Sequence, residues 1–140
     1  MTELLHRIKV FLYRFEGDQP EYLLLKPDMG IDPFWGPMQS TLGFGEKLET
    51  AIRHHARVDI GLDPPGKPLD LDMAIQWQLG DEHIVEWNYG LRCLSDPDPA
   101  RLAEHWKDHR WTGFESAYPS LGLEYDRQAI LRLHARLGAA

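Results

Sequence analysis

Hydrophobic and polar residues alternate in the first part of the chain as they do in β-strands. The run from Arg7 to Phe15 is rich in β-branched and aromatic side chains and stops at residues 17–20, which hold one Gly and one Pro. A second apolar run, from Glu21 to Lys26, is ended by Pro27. We therefore predict two antiparallel strands joined by a turn.

The spacing of apolar residues changes in the middle of the chain. Leu48 to Asp59 contains neither Gly nor Pro, and Leu48, Ile52 and Ala56 recur at every fourth position. This spacing puts the three side chains on one stripe of a helix, and Gly61 follows where a left-handed C-terminal cap belongs. The pattern predicts a helix from Leu48 to Asp59.

The remaining segments complete the predicted order. They are a loop at Asp28–Pro37, strands at Ala74–Leu79 and His83–Cys93, a short helix at Ala100–Trp106, a brief strand at Arg110–Phe114 and an amphipathic helix at Tyr125–Leu137. Strands and helices in this order predict one α+β domain over residues 1–140, with helices packed on a mixed β-sheet.

Composition and charge exclude several classes of function. The chain has 140 residues with 15 Lys and Arg against 22 Asp and Glu, a formal charge of −7, whereas proteins that bind polymeric nucleic acid are usually basic. No apolar run approaches the ~20 residues that cross a bilayer. Cys93 is the one cysteine, and the N-terminal residues carry charges too early for a signal peptide. We therefore expect a cytoplasmic protein with no nucleic acid polymer or membrane as partner.

Residues 34–62, FWGPMQSTLGFGEKLETAIRHHARVDIGL, resemble a Nudix box, G-x5-E-x7-R-E-U-x-E-E-x-G-U, in which U is a bulky aliphatic residue. The specified positions fall on Ser40, Glu46, His54, His55, Ala56, Val58, Asp59, Gly61 and Leu62. Glu46, Gly61 and Leu62 agree with the pattern, and Ala56 and Asp59 are weak replacements. The box is therefore degenerate. The resemblance implies the Nudix fold, an α/β/α sandwich with the mixed sheet between the box helix and the C-terminal helix.

The order of the other segments also follows the family over roughly Arg7 to Leu137. Within the family, Glu104-His105-Trp106 and Arg127-Gln128-Ala129 are faintly similar to the bacterial nucleoside triphosphate pyrophosphatases. The resemblance implies a small nucleotide-type ligand and, because Nudix domains often dimerise, allows a homodimer.

The resemblance also implies a metal centre, because Nudix hydrolases split diphosphate linkages with Mg²⁺ or Mn²⁺ held by glutamates of the box helix. Positions 55, 58 and 59 lie on one helical face but carry His55, Val58 and Asp59 here. Asp59 is then a metal ligand or a surface residue near a helix end. His55 is a second ligand for a transition metal, or a solvated residue. We expect weak Mg²⁺ binding, and we expect Val58 to pack against a loop.

Other residues take roles by position in the family pattern. Ser40, Glu46, His54 and Gly61 are box residues that would hold its structure, with His54 placed to contact Glu46. Glu104 and His55 are the catalytic candidates, and Glu82 and Glu86 are alternatives to Glu104. Glu104 can also be interpreted as an exposed acidic residue of a helix. Candidates for substrate binding are Trp35, Lys26 and Arg7. Any of the five tryptophans could stack on a base or belong to the core.

Two functions of different class follow. The first is a divergent divalent-metal-dependent hydrolase of nucleoside di- or triphosphate derivatives. The second is a non-catalytic Nudix-like domain that binds a nucleotide or a protein partner.

Overall fold

The computed structural model describes residues 3–27, 34–43, 45–62 and 67–138. The strands are β1 (Glu3–Glu16), β2 (Gln19–Pro27), β3 (Met38–Thr41), β4 (Leu69–Leu79), β5 (Glu82–Arg92) and β6 (Trp106–Gly113). The helices are α1 (Leu48–Ile60), α2 (Pro99–His105), α3 (Phe114–Ser120) and α4 (Glu124–Arg136). Most of the loop predicted at Asp28–Pro37 lies outside the described residues. None of the described helices is long and apolar enough to cross a membrane.

Strand β1 is the centre of a mixed sheet with the order β4-β5-β1-β2-β6. It pairs in parallel with β5 along one edge. Along its other edge it pairs antiparallel with β3 over Arg7–Val10 and with β2 over Leu12–Glu16. The predicted β1–β2 pair is thus confirmed. Strand β3 occupies the edge beside the first half of β1, so β2 pairs only with the second half. The last residues of β2 therefore diverge from β1, and a pocket opens between them and β3.

The alternation in β1 builds a core on each face of the sheet. One core joins Ile8, Val10 and Leu12 of β1 to Ala51, Ile52, Ala56 and Ile60 of α1. The other joins Phe11 and Tyr13 of β1 to Ala129, Ile130 and Leu133 of α4. The predicted arrangement, a mixed sheet between the box helix and the C-terminal helix, is therefore confirmed.

The C-terminus of α1 follows the sequence prediction closely. Gly61 has φ 80° and ψ 25°, and its N–H donates to the carbonyl of Arg57 at 3.0 Å. The N–H of Leu62 donates to the carbonyl of Ala56, also at 3.0 Å. The bond from Gly61 to Arg57 is that of an αL C-cap, which a residue with φ above zero permits.

Two elements were not expected. Strand β3 lies in a segment rich in Gly and Pro and is only four residues long. Helix α3 contains Pro119 and follows Gly113, two residues that ordinarily mark loops. Strand β6 begins at Trp106, four residues before the predicted Arg110–Phe114, and ends at Gly113, so Phe114 belongs to α3.

Candidate functional site

A cavity of about 400 Å³ opens where β2 and β3 separate. Its walls come from β1, the end of β2, β3, the last turn of α1 and the junction of α2 with β6. The lining residues are Arg7, Pro27, Gln39, Ser40, Thr41, Asp59, His105 and Trp106. We call this the box pocket, because Ser40 and Asp59 are box positions.

Asp59 lies between two imidazoles in the box pocket. Its Oδ2 is 3.1 Å from Nδ1 of His55, and its Oδ1 is 3.6 Å from Nε2 of His105. The side chains of His55 and Asp59 are each 22% exposed, and Asp59 lines the pocket. The predicted pair His55 and Asp59 is thus brought together, one helical turn apart on α1, and His105 joins it.

His55 also links α1 to β3. Its Nε2 is 2.8 Å from Oγ of Ser40. A carboxylate oxygen only accepts hydrogen bonds, so Nδ1 of His55 carries a proton toward Asp59. In the neutral imidazole Nε2 is then the acceptor, and the Ser40 hydroxyl donates to it.

Arg7 brings a fixed positive charge to the box pocket. Its Nη1 is 3.2 Å from Oε2 of Glu86, which is almost fully buried, and its guanidinium lies over the Trp77 ring at 5.9 Å. Because Glu86 engages one of the guanidinium nitrogens, other N–H donors remain for a ligand. Arg7 lines the box pocket, and its role in substrate binding stays a prediction.

The side chains at this site do not fit a Mg²⁺ centre of the family type. Mg²⁺ takes oxygen ligands, and Asp59 is the one carboxylate among the described residues that line the pocket. Both nitrogens of His55 already have partners. Within the described part of the chain, no three His, Cys, Asp or Glu side chains are arranged to hold a metal ion.

Val58 differs from the expectation that it packs against a loop. Its side chain is 46% exposed. The third position of the family's metal-binding face therefore presents an apolar side chain to solvent, and a polar residue would be tolerated there.

The remaining box residues hold local structure. Glu46 accepts from the N–H of Gly43 at 2.6 Å, within its own loop. His54 is exposed, and its ring meets the ring of His55 edge-on at 5.4 Å. The expected contact between Glu46 and His54 is not found among the described interactions, because each turns to a nearer partner.

The catalytic candidates from the second half of the chain lie in different places. Glu104 is exposed on α2 and does not line the box pocket, whereas its neighbour His105 does. Glu86 is buried against Arg7, and Glu82 begins β5. Sequence reasoning missed His105, although it identified the adjacent Glu104. A catalytic role for Glu104 stays a prediction.

Two predicted substrate-binding residues lie together but outside the box pocket. The Lys26 ammonium is 4.8 Å from the centre of the Trp35 ring, and the Arg110 guanidinium is 4.9 Å from the same ring. Trp35 packs against the core on the α4 side of the sheet. This cluster gives Trp35 a structural role, since two cation–π contacts and the core hold its ring.

A larger and more apolar cavity adjoins the box pocket at Thr41, which lines both. It measures about 750 Å³ and includes Leu4, Leu5, His6, Leu42, Leu48 and Trp87. We call it the apolar pocket. Sequence alone did not show which of the five tryptophans could contact a base. Trp87 is the tryptophan that lines the apolar pocket.

Two rings of the apolar pocket form a flat surface. The indole Nε1–H of Trp87 donates to Nδ1 of His6 at 3.1 Å. The ring centres are 6.1 Å apart and the ring planes differ by 17°. The two rings are therefore nearly parallel and joined by a hydrogen bond. Such a surface suits a planar aromatic group, which stacks on it.

No family model matches the chain, and the search of curated proteins by sequence found no match. Solved structures are similar to it in fold. The Nudix domain of Shewanella oneidensis NrtR, complexed with ADP ribose, has a TM-score of 0.77 at 15% identity, covering 98% of this chain and 90% of that one.

Two enzymes have the same fold over almost the whole chain. The Escherichia coli dihydroneopterin triphosphate pyrophosphohydrolase has a TM-score of 0.75 at 16% identity, covering 94% of this chain and 95% of its own. A Caenorhabditis elegans Ap4A hydrolase has a TM-score of 0.74 at 15% identity, covering 96% and 98%. The chain has the Nudix fold, in agreement with the resemblance of residues 34–62.

Proposed function

We propose that the protein binds a phosphorylated nucleoside directly through its own side chains, without the Mg²⁺ chemistry that the resemblance implies. The observation that carries this proposal is the state of Asp59. The carboxylate retained from the family's metal-binding face is engaged by His55 and His105. A carboxylate that already has two imidazole partners coordinates Mg²⁺ less readily, because Mg²⁺ prefers ligands that are all oxygen atoms.

The donors around Asp59 suit a phosphate group. Arg7 offers guanidinium N–H groups, whose fork matches phosphate oxygens. Thr41 offers a hydroxyl, and His105 adds a positive charge when it is protonated. A phosphate in the box pocket would thus replace water with charge-assisted hydrogen bonds.

The apolar pocket suits the base of the same ligand. Thr41 lines both pockets, so the proposed ligand would extend past Thr41 from one pocket to the other. A nucleobase stacked on the Trp87–His6 surface would bury its faces, as bases do on aromatic side chains. The Nudix domain that holds ADP ribose supports this ligand class.

The test is a titration of ADP-ribose and ADP into the protein by calorimetry, once with Mg²⁺ and once with EDTA, followed by ³¹P NMR of each mixture. We expect equal affinity in both buffers and intact nucleotide in the spectrum. Mg²⁺-dependent release of phosphate products would favour the divergent hydrolase instead. Absence of binding to every nucleotide in both buffers would refute the proposal.

A further inference from the structure

Ser40, His55 and Asp59 form a continuous hydrogen-bonded chain that opens on the box pocket. Ser40 Oγ is 2.8 Å from Nε2 of His55, and Nδ1 of the same ring is 3.1 Å from Oδ2 of Asp59. Each imidazole nitrogen therefore faces the partner that it has in serine hydrolases. Both Ser40 and Asp59 line the pocket, so a ligand there can reach the serine.

We propose that Ser40 is an activated nucleophile that attacks carboxylic esters without a metal. His55 is the general base, and Asp59 is the positioning residue that fixes the tautomer and orientation of the ring. Such constellations are recognised by geometry rather than by order along the chain. This activity is separate from nucleotide binding, although both use the box pocket.

The reaction balances with water as the only co-reactant. Ser40 Oγ bonds to the carbonyl carbon, and its proton passes to Nε2 of His55. The bond from that carbon to the leaving alkoxide breaks, and the alcohol departs with the proton from His55. Water then adds to the acyl-serine by the same route and releases the acid. The proposed reaction also requires N–H donors for the oxyanion, and the side chains of Arg7 and Gln39, which line the same pocket, are the candidates.

Covalent labelling tests the nucleophile. We would treat the protein with an alkyl fluorophosphonate, in which a serine oxygen displaces fluoride from phosphorus, and read the adduct by intact mass and peptide mapping. We expect one adduct, mapped to Ser40 in the parent protein and unchanged by EDTA. The variant Ser40→Ala should take up none. Ser116→Ala, which alters an exposed serine of α3, should label like the parent.

Two further variants test the roles of the partners. His55→Gln keeps the Ser40 hydroxyl but removes the base, and should slow labelling at least ~100-fold. Asp59→Asn should lower kcat for 4-nitrophenyl acetate and leave KM unchanged, with circular dichroism matching the parent. No adduct on the parent, an adduct on another residue, loss of labelling in EDTA, or equal rates in parent and His55→Gln would each overturn the proposal.

Discussion

His55 Nδ1 and Asp59 Oδ2 lie 3.1 Å apart, one turn along α1, at two positions where the family pattern has glutamates. The face that would collect a cation is thus occupied by an internal hydrogen bond. Val58, the third position of this face, is 46% exposed. Charged side chains can therefore be introduced there at little cost in folding free energy.

The first prediction follows from this exposure. The double change His55→Glu and Val58→Glu should add two carboxylates beside Asp59, which makes three on one helical face, and should raise Mg²⁺ affinity at least tenfold in a calorimetric titration. The matched control is His55→Gln with Val58→Gln, which removes the same hydrogen bond without adding charge. Equal Mg²⁺ affinity in the two double variants would show that carboxylates on this face of α1 do not form a Mg²⁺ site.

The second prediction concerns the end of α1. Gly61→Ala forces an L-residue to φ 80° and brings its Cβ within 2.7 Å of Cβ of Asp98. We expect the free energy of unfolding in urea to fall by about 2 kcal/mol or more. Gly138→Ala is the control, because Gly138 has φ 73° but a Cβ added there would have nothing within 4 Å. A loss no larger than that of Gly138→Ala would contradict the steric explanation.

The third prediction concerns a buried ion pair. Lys9 of β1 and Asp126 of α4 form a salt bridge in which each side chain is 3% exposed. Removing one partner leaves the other charge buried, so Lys9→Met should cost ~3–5 kcal/mol. The double change Lys9→Met and Asp126→Leu should be within about 1 kcal/mol of the parent. A double variant whose loss equals the sum of the two single losses would contradict this.

The same pair has a predictable pH dependence. Burial raises the pKa of Asp126, and Lys9 lowers it. Lys9→Met removes the lowering influence, so the carboxyl should take up a proton at higher pH and become neutral. A carboxyl whose pKa is raised by folding contributes stability at low pH and loses it as pH rises. Urea unfolding should therefore show a smaller deficit for Lys9→Met at pH 5 than at pH 8.

The fourth prediction concerns Cys93. Burial raises the pKa of its thiol to about 12, so at pH 8 only a fraction on the order of 10⁻⁴ is thiolate, the reactive form. The folded protein should react with a disulfide reagent at pH 8 far more slowly than the protein unfolded in urea. Equal rates for the folded and unfolded protein would show that the thiol is accessible.

Local chemistry made part of the fold predictable from sequence. Apolar residues at every fourth position and the following Gly61 identified α1, because both features depend only on residues close together in the sequence. The alternation in β1 identified the strand for the same reason. Strand β3 escaped prediction because four residues carry little pattern, and its position depends on pairing with β1. Helix α3 was not predicted because Gly113 and Pro119 are typical of loops. The helix forms because it packs on the sheet.

The site was predictable only along α1. The pairing of His55 with Asp59 follows from a spacing of four residues in a helix. The contact of His55 with Ser40 joins α1 to β3 across 15 residues of sequence, and His105 reaches Asp59 because α2 packs against α1. Neither relationship leaves a periodic signal in the sequence.

The most direct test of direct phosphate binding is the ADP-ribose affinity of Asp59→Asn in the presence of EDTA. If side chains hold the phosphate, removing the nearby negative charge should tighten binding by about fivefold, since one unit charge at ~4 Å in water is worth ~1 kcal/mol. Asp18→Asn, in the exposed turn between β1 and β2, removes the same charge beyond the end of β1 that is distant from both pockets and should leave affinity unchanged. Weaker binding in Asp59→Asn than in the parent, or binding that appears only with Mg²⁺, would contradict it.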